Sequence, residues 1–379
     1  MKFIHLSDLH LGKRLHEFSL LEDQRYVLES VLEAVRRENP DAVLIAGDIY
    51  DKTVPSGEAV TLFDRFLTEL KSLEVPVCVI SGNHDSAERM AFGSGIMNDS
   101  GIYIAPVYDG TAAKVTLRDG YGPVNVFLLP FIKPASVRNL FPDAEINSYT
   151  DAVNAAIGAM DIDPAERNVL VAHQFVTGAR TSESEEFSVG GLDNIDASVF
   201  APFDYVALGH LHSPQTLAGG RIRYCGTPLK YSFSEAEDTK SLTVAELGAD
   251  RELTIRELPL APLHELKEIR GTYDELMALS FYENTGYRDD YMHITLTDED
   301  DIPDAAARLR TVYRNLMKLD LDNSRTRAGL LPDASGSSRD KSPFELFSEF
   351  FENMNGRALS GPQQKILRTV IEKAQEAEL

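Results

Sequence analysis

Five short fragments place metal-binding side chains directly after apolar runs. They are Asp8-Leu9-His10, Gly47-Asp48, Gly82-Asn83-His84-Asp85, Ala172-His173 and Gly209-His210-Leu211-His212. His10, His84, His173, His210 and His212 are five of the nine histidines, a placement that chance does not readily give. Singly, each fragment is common, and a lone buried histidine is more often a satisfied core residue than a ligand. All five together, at the carboxyl ends of apolar runs where α/β sheets hold their ligands, point to one site.

Residues i and i+2 of a strand share a face about 6.6 Å apart. Asp8 is therefore expected to pair with His10, and His210 with His212. Two divalent ions of a hydrolytic centre sit about 3.5 to 4 Å apart, near enough for one carboxylate to bridge them. Asp48 is the expected bridge, with Gly47 giving up a side chain where backbone crowds the metals. Asp8, His10 and His212 would then hold one ion, and Asn83, His173 and His210 the other. These donors are carboxylate, amide oxygen and imidazole, without thiolate. The set suits Mn²⁺, Fe²⁺ or Zn²⁺ with positions left for water and a phosphate oxygen; Mn²⁺ is the expected ion, and Mg²⁺ is a further alternative. Water held between two cations loses its proton near neutral pH, so the expected chemistry is phosphoester hydrolysis.

The elements that must position these groups follow from periodicity. The first part alternates strand-like runs (KFIHLSD, DAVLIAGD, PVCVISG) with helical stretches (SLLEDQRYVLESVLEAVRREN, SGEAVTLFDRFLTELKSL). Later come AKVTL, NVFLLP, RNVLVAHQ and DYVALGH, a hairpin turning on Gly219-Gly220, then SLTVAEL and RELTIREL. The excess of strands predicts two stacked sheets with helices outside. A boundary is expected at Pro259 to Pro262. Beyond it, YDELMAL, YMHITLTD and DAAARLRTVYRNLMKL predict a small helix-strand-helix unit, and the polar stretch from Pro332 to Pro343 a flexible linker. Two helical segments follow. No GxxxxGK[ST] phosphate loop is present, so ATP hydrolysis is not expected of this chain.

A length of 379 residues exceeds what one core usually serves. No apolar run approaches a membrane span, and the start MKFIHLSDLH has no long apolar region, which makes a cytoplasmic protein the expectation. Cys78 and Cys225 both lie in apolar runs and read as buried thiols. The net charge of -23 argues against nucleic-acid binding through overall basicity. Metal ions, a local patch such as Lys13 and Arg14, or a second subunit would have to meet a polyanion.

The series DxH, GD, GNHD, H, GHxH resembles the calcineurin-like metallophosphoesterase superfamily. More narrowly, HLSDLHLGK, AGDIYDKTVPS, SGNHDS and YCGTPLKYSFSE resemble its DNA-processing nuclease subunits, from Met1 to about Leu258. The resemblance implies an α/β (α+β) four-layer fold of two stacked sheets flanked by helices, with a small α/β capping domain and C-terminal helices. It implies a nuclease domain over 1–262, a DNA-recognising cap over 263–330, a linker over 331–342 and a partner-binding helical segment over 343–379. It implies Asp8, His10, Asp48, Asn83, His173, His210 and His212 as metal ligands and His84 as the catalytic histidine. His84 adjoins Asn83 without being needed to complete either ion's set, which leaves it for the scissile phosphate and the leaving oxygen. Some relatives carry a second histidine where this chain has Asp51, which leaves no role assigned to Asp51. Asp85 reads either as an orienter of His84 or as the cap of a helix over SAERMAF. His5, His16, His264 and His293 read as structural or solvated.

The activity implied is ATP-dependent 3′ to 5′ exonuclease action on duplex ends and endonuclease action on single strands and hairpins, in DNA repair, recombination and replication. The partners implied are DNA, a coiled-coil ATPase and a second copy within a heterotetramer, near the nucleoid. The alternative is a phosphatase or cyclic-nucleotide phosphodiesterase of the same fold. Protein phosphatases of the superfamily show GDxxDRG and RGNHE where this chain reads GDIYDKT and SGNHDS. A module with a decayed site would not retain every ligand. In the tail, Phe344, Phe347, Phe351 and Met354, widened by Leu346 and Phe350, form an apolar stripe, followed by Ile366, Leu367, Val370 and Ile371. That face is expected to dock on the ATPase.

Overall fold

A computed structural model describes residues 1–179, 185, 194–324, 326, 342–355 and 357–377. Residues 331–341 of the expected linker, Gly356 and the Met354 side chain lie outside the described residues.

Short runs of Val, Ile, Leu and Ala form strands buried along their whole length, as parallel strands must be when both faces are covered. Ala42–Ala46, Val77–Ile80, Arg167–His173 and Tyr205–Gly209 are each buried at every position. In the first sheet the order is Leu253–Pro259, Ser241–Leu247, Lys2–Leu6, Ala42–Ala46, Val77–Ile80, Ile102–Ala105. The last four run parallel and the first two add antiparallel. The second sheet is ordered Gln215–Leu217, Ile222–Tyr224, Tyr205–Gly209, Arg167–His173, Gly122–Leu129, Ala113–Asp119, parallel at its centre and antiparallel at both edges.

Successive side chains of a strand point to opposite faces, and that alternation builds the layers. Phe3, Leu44, Cys78 and Ile80 meet Val126, Leu128, Val169, Val171 and Ala207 in a core between the sheets. Ile4, Val43, Ile45, Val77 and Val79 face the helices Leu21–Glu38 and Gly57–Ser72. Phe127, Leu129, Leu170, Val206 and Leu208 face the helices Pro134–Leu140 and Tyr149–Gly158. The result is helix, sheet, sheet, helix. Both cysteines are buried free thiols. Among the described residues no helix is long and apolar enough to cross a membrane.

The small unit departs from the expected helix-strand-helix. Leu266–Gly271, Tyr291–Leu296 and Asn315–Leu321 form a three-stranded parallel sheet over its own core of Ile269, Leu276, Met292, Ile294 and Tyr313. The expected helix over 304–319 stops after Leu309, and the remainder pairs as the third strand. Tertiary pairing overrides the helical periodicity there, because Leu316 is needed in that core. This sheet belongs to one compact unit, Met1–Asp322, with the two large sheets. Asp23 ties them: its carboxylate accepts from the His264 N–H at 3.0 Å and the Tyr291 hydroxyl at 2.7 Å.

The second unit, Asn323–Leu379, carries the helices Pro343–Asn355 and Gly361–Ala377. Ser342 and Glu345 form a capping box, Ser342 N–H donating to Glu345 Oε2 at 2.7 Å and Glu345 N–H to Ser342 Oγ at 3.3 Å. Phe344 and Phe351 are half-buried, whereas Leu346, Phe347, Phe350, Ile366 and Val370 are exposed.

Candidate metal centre

The Lys2–Leu6, Ala42–Ala46 and Val77–Ile80 strands of one sheet, and the Arg167–His173 and Tyr205–Gly209 strands of the other, end on a common edge of the sandwich. The loops after Leu6 and Ala46 stay paired beyond their strands, Asp8 N–H donating to Gly47 O at 3.0 Å and His10 N–H to Asp48 O at 3.0 Å. Asp8, His10, Asp48 and His210 all hold positive φ, at 54, 43, 50 and 98°. Such backbone is costly for residues other than glycine and gathers where surrounding structure enforces it. It corrects the same-face expectation: strands end at Leu6 and Gly209, and left-handed turns, not strand pleat, aim these side chains.

The side chains nevertheless converge. Asp8, His10 and His212 bring ligand atoms within 4.8 Å of one another, as do His10, Asp48 and His84, and Asp8, Asp48 and His173. Asn83 Oδ1 faces two imidazoles, His173 Nε2 at 3.0 Å and His210 Nδ1 at 3.1 Å. Asp48 Oδ2 lies 3.4 Å from His173 Nε2, 3.7 Å from His10 Nε2 and 3.9 Å from His84 Nε2. His10 Nε2 and His212 Nε2 face each other at 3.3 Å. Asp8 accepts from the Ser7 hydroxyl and, at 3.0 Å, from the His210 N–H. His173 Nδ1 donates to Ala46 O at 2.8 Å, which leaves Nε2 for the centre.

Close approach requires the glycines. A Cβ on Gly47 would stand 2.5 Å from His173 Nδ1, and one on Gly209 would meet the Ala46 carbonyl and His173 Nδ1. A Cβ on Gly82 would overlap Asp48. Gly47 also has φ +87°, so its role is conformational as well as spatial.

Electrostatics separates the two carboxylates. Burial raises Asp8 to about 8; the His173 charge opposes this and Asp48 adds to it. Asp48 is held well below the carboxylate range, burial working against it but the His173, His10 and His84 charges outweighing burial. Burial alone would lower His173, yet Asp48 lifts it to about 9. Burial lowers His10 and takes His210 to about 3. The pocket therefore holds neutral imidazoles at His10 and His210 beside an ion pair of Asp48 and His173, with the amide oxygen of Asn83 between His173 and His210, and His10 Nδ1 is buried without a hydrogen bond. Donors converging in this way fit divalent cations, whose charge satisfies both carboxylates at once.

Residues 1–214 match the family model described as calcineurin-like phosphoesterase. The chain is also 35% identical over 323 residues to the SbcD subunit of the SbcCD nuclease of Staphylococcus epidermidis, covering 84% of this chain and 85% of that one. The chain belongs to the calcineurin-like phosphoesterases, in their SbcD branch. A second family model, described as Type 5 capsule protein repressor C-terminal domain, matches residues 262–355. Among solved structures, a dimetal phosphatase from Danio rerio aligns at 14% identity and TM-score 0.41 over 69% of this chain and 98% of that one. A phosphoesterase from E. coli aligns at 14% identity and TM-score 0.28 over 69% and 100%. At those scores the likeness reaches neither site nor substrate.

Other residues at the site carry no signal in isolated spacing. Asp51 Oδ1 is 2.8 Å from Lys13 Nζ and 3.9 Å from His10 Nδ1, so Lys13 is engaged at the rim of the centre. Asp85 neither caps SAERMAF nor has its carboxylate on His84. It accepts from the Ile49, Tyr50 and Gly82 N–H groups, and Ser86 is the helix cap. Glu185 accepts from the His212 N–H at 2.6 Å, and Glu235 lies behind that ring. His5 is buried against Tyr205 Oη at 2.8 Å, and His293 stands between Glu268 and Asp320.

Proposed function

We propose that this chain is the two-metal-dependent DNA nuclease subunit of an SbcCD-type complex, a phosphodiesterase with exonuclease and endonuclease activity. The observation that carries the reading is the convergence, on one edge of a phosphoesterase fold, of Asp8, His10, Asp48, Asn83, His173, His210 and His212. Asp8, His10 and His212 would hold one ion, Asn83, His173 and His210 the other, with Asp48 between them. Mn²⁺ suits this mixed set, as do Mg²⁺, Fe²⁺ and Zn²⁺. When bound, two such ions supply an activated water and charge stabilisation at the phosphate. The protein's own part is to hold seven donors at strand ends, four of them (Asp8, His10, Asp48 and His210) on backbone of positive φ, so that little rearrangement accompanies reaction.

His84 is the catalytic residue of this reading. Its N–H donates to Asp48 Oδ1 at 3.0 Å, which fixes its backbone to the bridge position, and its Nδ1 faces the Asp51 carbonyl at 3.3 Å. A carbonyl only accepts, so Nδ1 carries a hydrogen, and Nε2, 3.9 Å from Asp48 Oδ2, is on the side of the centre where the reacting phosphate would sit. At 17% side-chain exposure His84 is more open than His10 at 1% or His173 at 0%. From that place, as the imidazolium with its second proton on Nε2, it would hydrogen-bond the phosphate and deliver that proton to the leaving oxygen, leaving the ring neutral with hydrogen on Nδ1.

Domain roles follow: the nuclease domain over 1–262, a DNA-recognising cap over 263–330, a linker over 331–342, and 343–379 for an SbcC-type coiled-coil ATPase. The exposed Leu346, Phe347 and Phe350 support that last assignment, and exposed Phe92, at 88%, with Ile96, at 80%, supports a second copy of the chain as a further partner. Purified protein incubated with Mn²⁺ and a labelled DNA hairpin, beside a phosphoprotein, tests the reading. Cleavage of the hairpin with the phosphoprotein untouched is expected; dephosphorylation of the protein with intact DNA overturns it in favour of a phosphatase.

A further inference from the structure

Behind His212 lies a buried ion pair that the reaction does not use directly. Glu235 is 0% and Lys240 3% exposed, with Lys240 Nζ 2.6 Å from Glu235 Oε2. Lys240 Nζ also donates to the His212 carbonyl at 3.0 Å, and Glu235 Oε1 stands 3.8 Å from His212 Nδ1. The pair thus grips His212 at its backbone and faces its ring. A buried carboxylate and ammonium cost more to desolvate than an apolar pair of the same shape, so stability alone does not account for them. At 3.8 Å the carboxylate is beyond a hydrogen bond and acts on the ring through its charge. That charge favours the tautomer with hydrogen on Nδ1, and the Nε2 lone pair is left facing His10 Nε2 at 3.3 Å, into the centre. Tyr231, whose N–H points to Glu235 Oε2 at 3.4 Å, packs edge-on against both His212 and His10 and limits ring rotation.

We propose that Glu235, charge-balanced by Lys240, is a positioning residue that sets the tautomer and ring orientation of His212 for metal binding. This rests on the reading of the centre given above. Carboxylates placed behind ligating histidines change metal affinity by about 10- to 100-fold. The test uses the full chain and Mn²⁺ alone, titrated calorimetrically into wild type, Glu235→Gln, and a double variant Glu235→Gln/Lys240→Met that leaves no unpaired buried charge. Thermal melting of the metal-free proteins and ¹⁵N-histidine spectra of the His212 ring are recorded beside it. Wild type is expected to take up two ions. Both variants should bind one of them about 10- to 100-fold more weakly and the other nearly unchanged. The double variant should melt like wild type when metal-free, and the His212 tautomer should shift in both.

Wild-type affinity at both sites in the variants, with the tautomer unchanged, overturns the proposal and leaves the reading of the centre intact. Equal weakening of both sites together with an early metal-free melt in the double variant overturns it too, by showing a structural role. If wild type takes up fewer than two ions, or if His212→Ala leaves both affinities unchanged, the reading of the centre falls and the proposal with it.

Discussion

His84 sits beside the other imidazoles, and its ring nitrogen lies close enough to Asp48 and His10 to be counted with them as a donor. What separates it is solvent access and the Asp51 carbonyl on its Nδ1. His84→Ala is therefore expected to retain two ions per chain while DNA cleavage falls by about 10² to 10⁴-fold, the usual worth of a positioned acid. Metal content of the purified variant decides it, since fewer than one ion per chain would make His84 a ligand. Residue types were legible in the sequence because few side chains bind metals, and the five fragments carry most of them. Their orientation was not, because positive φ at Asp8, His10, Asp48 and His210 depends on contacts between loops far apart in the chain. Glu235 shows the same limit: it lies in the YSFSE stretch, but only the fold brings it behind His212.

At the level of elements, the centre is a property of strand ends. Gly209 pairs with His173 across adjacent parallel strands, and the space above it is filled by the Ala46 carbonyl and the His173 ring. Gly209→Ala is expected to push His173 aside, costing about 1–3 kcal/mol of stability through overpacking and weakening metal uptake. Chemical denaturation and Mn²⁺ titration of the variant check both effects, and a variant indistinguishable from wild type would show that the strand end can relax. Gly57, by contrast, has no heavy atom near its missing Cβ, so Gly57→Ala serves as a control expected to keep full metal binding. Strands and long helices were legible here: the helix expected over 19–39 runs Leu21–Glu38, and that over 56–73 runs Gly57–Ser72. The segment 304–319 misled because Leu309, Val312 and Leu316 recur at helical spacing while Met317 and Leu319 have the alternation of a strand. Only pairing with Tyr291–Leu296 decides between the two.

At the scale of the molecule, the first question is how a chain of net charge -23 handles a polyanion. Acidic surfaces repel DNA at long range, and divalent ions at the centre act only at contact. On the proposed function, added basic surface would come from a partner, and the exposed Leu346, Phe347, Phe350, Ile366 and Val370 of the tail are apolar groups that would hold one. The unit Met1–Asp322 is compact and contains all four buried clusters of the large and small sheets, so a chain ending at Leu331 is expected to stay folded. That truncated chain should keep Mn²⁺-dependent cleavage of single-stranded DNA within about twofold, because every proposed ligand and His84 remain. It should fail to co-purify with the SbcC-type ATPase and should lose ATP-stimulated digestion of duplex ends. Co-purification at full strength would place the docking surface elsewhere. Loss of single-strand cleavage with a normal melting profile would mean instead that residues beyond Leu331 serve the active centre itself.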